Sequence, residues 1–140
     1  TIIHDFGRAQ WFQAITGEGA TRNGQPITVS KRPLDRAWIE FSYKNGSLPV
    51  EAAVALDSMV HSVVRTKGGT SMFYGGIDGI VSVEGMGKEW DYVPRTHMIR
   101  EAGGVVANIG SDDYDYTNTS FVATNPIIYG AVQDVLSETL

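Results

Sequence analysis

Glu84-Gly85-Met86-Gly87-Lys88-Glu89-Trp90-Asp91, continuing through Tyr92 to Gly103-Gly104, is the stretch on which the reading of this chain turns. It leaves a strand-like run, Ile77-Asp78-Gly79-Ile80-Val81-Ser82-Val83, and enters a helix expected over Asp91 to Ala102. With the start at Asp91, Pro94 is expected in the first turn, where an amide proton has no helical partner. Gly103-Gly104 closes the other end, where glycine accepts left-handed backbone. An acidic residue behind a strand and at a helix start has two readings. Asp91 caps its helix, a position aspartate favours, or it holds a cation that faces an anionic substrate. In the second case the helix's amino end adds partial positive charge and amide protons suited to phosphate. Spacing alone leaves both open.

Working outward, residues 1–6 and 9–15 read as two strands around Gly7-Arg8, so a hairpin is expected. The chain starts at Thr1 and runs straight into Ile2-Ile3-His4-Asp5-Phe6, as a strand already under way. Asn23-Gly24 is a tight-turn signal before a short strand, Pro26-Ile27-Thr28-Val29-Ser30. After Lys31-Arg32-Pro33 the pattern changes. Ala37-Trp38-Ile39-Glu40-Phe41 reads as a buried strand. A helix follows, with Pro49 near its start and Val50, Ala53, Val54, Leu56, Met59, Val60 and Val63 on one stripe. Val63–Thr66 is a candidate strand, and Gly68-Gly69-Thr70-Ser71 a turn. Val105–Ile109 and Thr119–Ala123 read as strands around an acidic loop, Ser111-Asp112-Asp113-Tyr114-Asp115. A last helix is expected with Thr124 or Asn125 as cap, Pro126 in first position and a stripe of Ile128, Ala131, Val132 and Val135. The expectation is a single α/β domain over 1–140 with a mixed sheet flanked by helices. Within it, residues 1–32 form an antiparallel hairpin portion and 33–140 the α/β portion.

Composition bounds the function. The chain has 140 residues, 42% hydrophobic and 19% charged, the balance of an ordinary globular domain. With no cysteine, disulfides, thiolate metal sites and a cysteine nucleophile are excluded. No apolar run approaches the roughly 18 residues of a membrane span, and the opening residues show no secretory pattern. A cytoplasmic protein without membrane contact is the expectation. The net charge is −5 and the basic residues are scattered, so no nucleic-acid surface is expected. His4, His61 and His97 show no metal-ligand spacing. No serine lies in a nucleophile-elbow pattern.

Trp90-Asp91, followed one helix later by Glu101-Ala102-Gly103-Gly104, resembles the carboxy-terminal signature of the inositol monophosphatase family. The agreement runs along the chain. Gly17-Glu18-Gly19-Ala20 with Asn23-Gly24 and Ile27-Thr28-Val29-Ser30 is similar to the family's hairpin. Gly69-Thr70-Ser71 is similar to its Gly-Thr/Ser-Ala helix start, and Ala123-Thr124-Asn125 to a late strand end. The resemblance implies the carboxy-terminal domain of a Mg²⁺-dependent hydrolase of phosphate monoesters, acting on a phosphorylated small molecule. Such chemistry needs several carboxylates, because hard cations take oxygen ligands. By resemblance Asp91 is the metal ligand from this part of the fold. Glu84 matches a residue that contacts substrate hydroxyls, Ser71 one whose backbone approaches substrate, and Ser42 the polar strand end lining the pocket.

Departures from the pattern matter equally. The family's other ligands come from an upstream glutamate and an Asp-Pro-Ile-Asp-Gly-Thr loop, and neither occurs here. Gly76-Ile77-Asp78-Gly79-Ile80 lacks the first Asp and the final Thr, so Asp78 is expected to be structural. Asp112, Asp113 and Asp115 lack a calcium loop's glycine and distal glutamate, and read as a solvated turn. Gly69 to Asp78 is shorter than the family's helix there, leaving a turn or two. Tyr92-Val93-Pro94-Arg95 replaces small residues and should crowd the phosphate side. Two expectations result. One is a phosphatase half, inactive alone, whose partner is the missing amino-terminal half or a second copy. The other is a non-catalytic truncated or mobile-element domain that self-associates or binds a partner through its exposed face.

Overall fold

The computed structural model describes residues 1–65, 70–85 and 87–140. Gly68-Gly69 of the expected turn and Thr66 of the candidate strand lie outside the described residues.

The first sheet is an antiparallel meander of β1 (Ile2–Asp5), β2 (Gln10–Ile15), β3 (Gly19–Arg22) and β4 (Gln25–Ile27), in that order. Asn23 (φ 49°) and Gly24 (φ 78°) are both left-handed and form the two-residue hairpin turn that the dipeptide encodes. The last strand is shorter than the expected 26–30. The Val29 amide donates to the Ala102 carbonyl at 2.9 Å, so the chain leaves the sheet to meet the end of a later helix.

The second sheet holds β5 (Trp38–Tyr43), β6 (Ser62–Val64), β7 (Gly79–Val83), β8 (Val105–Asn108) and β9 (Phe121–Thr124), ordered β6-β5-β7-β9-β8. β6, β5 and β7 are parallel, and β9 runs antiparallel to both neighbours. Three helices complete the fold: α1 (Val50–Met59), α2 (Glu89–Glu101) and α3 (Tyr129–Thr139). The mixed α/β architecture and the amino-terminal antiparallel portion are as the pattern predicts.

Period-2 alternation explains the layering. Ile39, Phe41, Val81 and Val122 point to one face of the five-stranded sheet, into a core with Leu56 of α1 and Val132 and Leu136 of α3. Ile80, Phe121, Ala123 and Val106 point to the other face, into a core with Met98 and Ile99 of α2 and Phe12 of the meander. α2 therefore lies between the two sheets. Leu136, absent from the expected α3 stripe, is fully buried.

The last helix begins later than expected. The Asn125 side-chain oxygen accepts from the amides of Ile127 (2.9 Å) and Ile128 (3.2 Å). That Asx-type turn holds 126–128 ahead of the first helical residue, Tyr129, so Pro126 precedes the helix.

Two polar joints tie the layers. Asp78, 0% exposed, accepts from Arg32 Nε (2.8 Å), the Trp38 amide (2.7 Å) and the Ser30 hydroxyl. It is the structural residue its context predicts. Glu101 Oε2 accepts from the amides of Gly17 (3.0 Å) and Gly19 (3.2 Å), clamping the β2–β3 turn to the end of α2. At Gly104 a Cβ would come within 2.5 Å of the Ile99 side chain and 3.0 Å of the Thr124 carbonyl, so glycine is required where α2 meets β9.

Candidate active site

α1 follows β5 onto one face of the sheet and α2 follows β7 onto the other. Adjacent parallel strands whose connections depart to opposite faces leave a crevice at their carboxyl ends, the usual ligand position in open α/β sheets. A cavity of about 80 Å³ sits there, walled by Glu40, Ser42 and Ser82 from the sheet, Asp91, Tyr92 and Arg95 from α2, and by Thr119.

The polar floor follows from register. Glu40 lies opposite Ile80, and Ser42 opposite Ser82, so all four share the face turned toward α2. Glu40 is only 2% exposed. Its carboxylate stands 3.4 Å from an Arg95 guanidinium nitrogen, the pairing a buried charge requires. Asp91 and Arg95 are one helical turn apart, hence on the same flank of α2. Both also border a second, more open hollow of about 360 Å³ with Ile2, Ile3, Phe73, Trp90 and Pro94.

Asp91 is exposed, and its Oδ2 accepts from the Lys88 amide at 2.8 Å. This is the reach-back half of a capping box. The cap position itself is held by Lys88, and Asp91, expected as the cap, is instead the third helical residue that reaches back to it; Asp91 borders both hollows. Gly87 keeps the approach open, since a Cβ there would lie 3.1 Å from Asp91 Oδ2. Lys88 is exposed.

The other candidate residues are placed as follows. Ser42 joins Asp91 in the smaller cavity. Glu84 is exposed beside Gly85 of that cavity's wall, with a left-handed φ of 44° and its amide donated to Ser120 Oγ at 3.0 Å. Ser71 opens a short 3-10 turn, Ser71–Tyr74, in place of a full helix, and its neighbour Thr70 borders the open hollow. Tyr92 packs toward Phe121, ring centroids 6.0 Å apart, and occupies the α2 side of the cavity. Burial against that wall raises its phenol above the ordinary value, helped by Glu89 and Asp91, so the ring stays neutral. Glu40, Ser82 and Thr119 were not singled out from the sequence. Glu40 did leave a signal, as a charge interrupting the apolar run Ile39-Glu40-Phe41.

The remaining candidates are satisfied locally. His97 bonds Thr1 Oγ1 (2.7 Å) and Thr16 Oγ1 (3.1 Å). Asp115 accepts from the amide (2.8 Å) and hydroxyl (2.7 Å) of Thr117, the turn expected of the acidic loop. Among the described residues no three His, Cys, Asp or Glu side chains converge to hold a metal ion.

A fructose-1,6-bisphosphatase from Pyrococcus furiosus is 27% identical over 124 residues, which cover 89% of this chain and 47% of that protein. An inositol monophosphatase from Mesembryanthemum crystallinum is 29% identical over 127 residues, covering 84% and 47%. The chain thus spans about half the length of these curated relatives. The solved inositol monophosphatase of Anabaena (Nostoc) sp. PCC 7120 superposes with a TM-score of 0.87 at 23% identity, over 99% of this chain and 58% of that one. The extragenic suppressor protein suhB of Bartonella henselae gives 0.86 at 23% identity, over 99% and 56%. The inositol monophosphatase family model matches residues 1–139. The chain belongs to the inositol monophosphatase family, of whose fold it holds about half.

Proposed function

We propose that this chain is the carboxy-terminal half of a Mg²⁺-dependent phosphate monoester hydrolase and is inactive without the other half. The observation that carries this reading is Asp91, an exposed carboxylate at the carboxyl-end crevice with no companion set of acidic ligands among the described residues. Asp91 contributes one oxygen to a metal whose other ligands come from residues outside this chain. Glu84 and Ser42 meet hydroxyls of a sugar or polyol phosphate, and Ser71 offers backbone. The Glu40–Arg95 pair fixes the floor, and Tyr92 limits the space beside the phosphate.

The test is a chimera in which the portion of the Anabaena enzyme lacking a counterpart here is joined ahead of Thr1. Mg²⁺-dependent release of phosphate from inositol or sugar phosphates is expected, with none from this chain alone. Asp91-dependent turnover by the unmodified chain would overturn the claim of incompleteness. An inactive but folded chimera would remove the catalytic reading.

A second reading, a non-catalytic domain that self-associates, is favoured by the exposure of Trp90 (72%) and Ile2 (66%) beside the open hollow. It requires a stable dimer in light scattering and no gain of activity in the chimera.

A further inference from the structure

Asp91 and Arg95 lie four residues apart on α2, with the acid nearer the amino end. That order and spacing favour a direct aspartate–arginine pair along one helix flank. The structure shows a different ion pair. The Arg95 guanidinium reaches across to the five-stranded sheet, where the Glu40 carboxylate accepts from it at 3.4 Å. Among the described residues no ion pair joins Arg95 to Asp91. The two carboxylates compete for one guanidinium on unequal terms. Glu40 is buried in the middle of β5, where an unpaired charge is costly, whereas the exposed Asp91 is solvated. Asp91 Oδ2 takes an amide bond from Lys88 at 2.8 Å. A carboxylate offers about four acceptor positions, so that bond does not exhaust it.

We propose that Glu40 is a positioning residue: it holds Arg95 away from Asp91 and so keeps the Asp91 carboxylate available to a divalent cation. The inference rests on the reading of Asp91 as a metal ligand. Arg95 borders the same two hollows as Asp91, and from one helical turn away its side chain reaches either carboxylate. Without the Glu40 charge the guanidinium turns to Asp91. A fixed positive charge then stands where the cation would bind, and like charges at such a distance repel strongly. Glu40 in this role acts through Arg95.

The experiment titrates Mn²⁺, a paramagnetic cation that takes oxygen ligands as Mg²⁺ does, into this chain and follows NMR broadening of the amides from Lys88 to Tyr92. The parent signals should broaden. Glu40→Gln keeps the shape of the side chain and should raise the Mn²⁺ concentration required by about tenfold or more. The Glu40→Met/Arg95→Met double variant should bring it back to the parent level. A crystal structure of Glu40→Gln should show the Arg95 guanidinium within hydrogen-bond distance of Asp91. In the chimera the Mg²⁺ concentration for half-maximal phosphate release should follow the same order. Partial unfolding would lower the amount of active protein and leave that concentration where it was. An unchanged Mn²⁺ requirement in Glu40→Gln, or a raised one with Arg95 still turned to position 40, overturns the proposal and leaves Asp91 a ligand. Parent signals that do not broaden around Asp91 remove the ligand reading, and the proposal falls with it. Should Glu40→Gln not fold, the double variant decides. It lacks both the competitor and its holder, so loss of broadening there overturns the proposal and parent-like broadening supports it.

Discussion

An Arg95 guanidinium nitrogen stands 3.4 Å from the Glu40 carboxylate, across the gap between α2 and the five-stranded sheet. The pair is the floor of the cavity, and its cost is that of two charges taken largely out of water. Removing one partner leaves the other charge stranded, whereas removing both with apolar side chains of similar volume does not. Arg95→Met should lower the unfolding free energy by about 3 kcal/mol. The Glu40→Met/Arg95→Met double variant should recover most of that loss. Urea denaturation checks both, and an additive double variant would show that the two charges do not interact.

Asp91 has a structural and a chemical role that substitution separates. Asparagine keeps an oxygen for the Lys88 amide, while alanine loses it. Asp91→Asn should lie within about 0.5 kcal/mol of the parent, and Asp91→Ala should cost about 1 kcal/mol. Both should abolish Mg²⁺-dependent phosphate release by the chimera. Thermal unfolding set beside the phosphate assay distinguishes the two roles.

Glu84 holds a left-handed backbone that a side chain tolerates poorly (φ 44°). Glu84→Gly should raise stability by about 0.5–1 kcal/mol through relief of that strain. The same change should raise the KM of the chimera for a polyol phosphate. A stabilised variant with unaltered KM would remove Glu84 from substrate contact.

Asp5 and Asp115 should set part of the acid limb. The Arg8 side chain beside Asp5 holds its carboxyl below the ordinary 3.8. The Thr117 amide and hydroxyl do the same for Asp115, also from 3.8. A depressed folded-state value adds stability above the unfolded value, and that gain disappears as pH falls through the folded one. Stability should therefore decline below about pH 4. In carboxyl NMR titrations Arg8→Ala should return Asp5 toward 3.8 and Thr117→Val should raise Asp115. Added salt should weaken the Asp5 shift more, because exposed ion pairs are screened.

The sequence by itself determined the elements and the family. Asn23-Gly24 admits the left-handed pair of a two-residue hairpin, and Gly103-Gly104 admits the close passage of α2 beside β9. Trp90-Asp91 with Glu101-Ala102 marks one helix by both ends. These signals are local, because each depends on what a residue's own backbone and near neighbours permit. Asp78 was legible as structural for the same reason, since its surroundings lack the rest of a ligand loop. What only the tertiary structure decided is which polar residues share a space. Glu40, Ser82 and Thr119 join Ser42 and Asp91 because parallel register sets β5 beside β7 and α2 crosses the face they share. No spacing in the chain encodes that register. The outer position of β1 and the hollow beside Trp90 became visible in the same way. Exposure is a property of what packs against a residue, and here the sequence alone does not say which strand lies outermost.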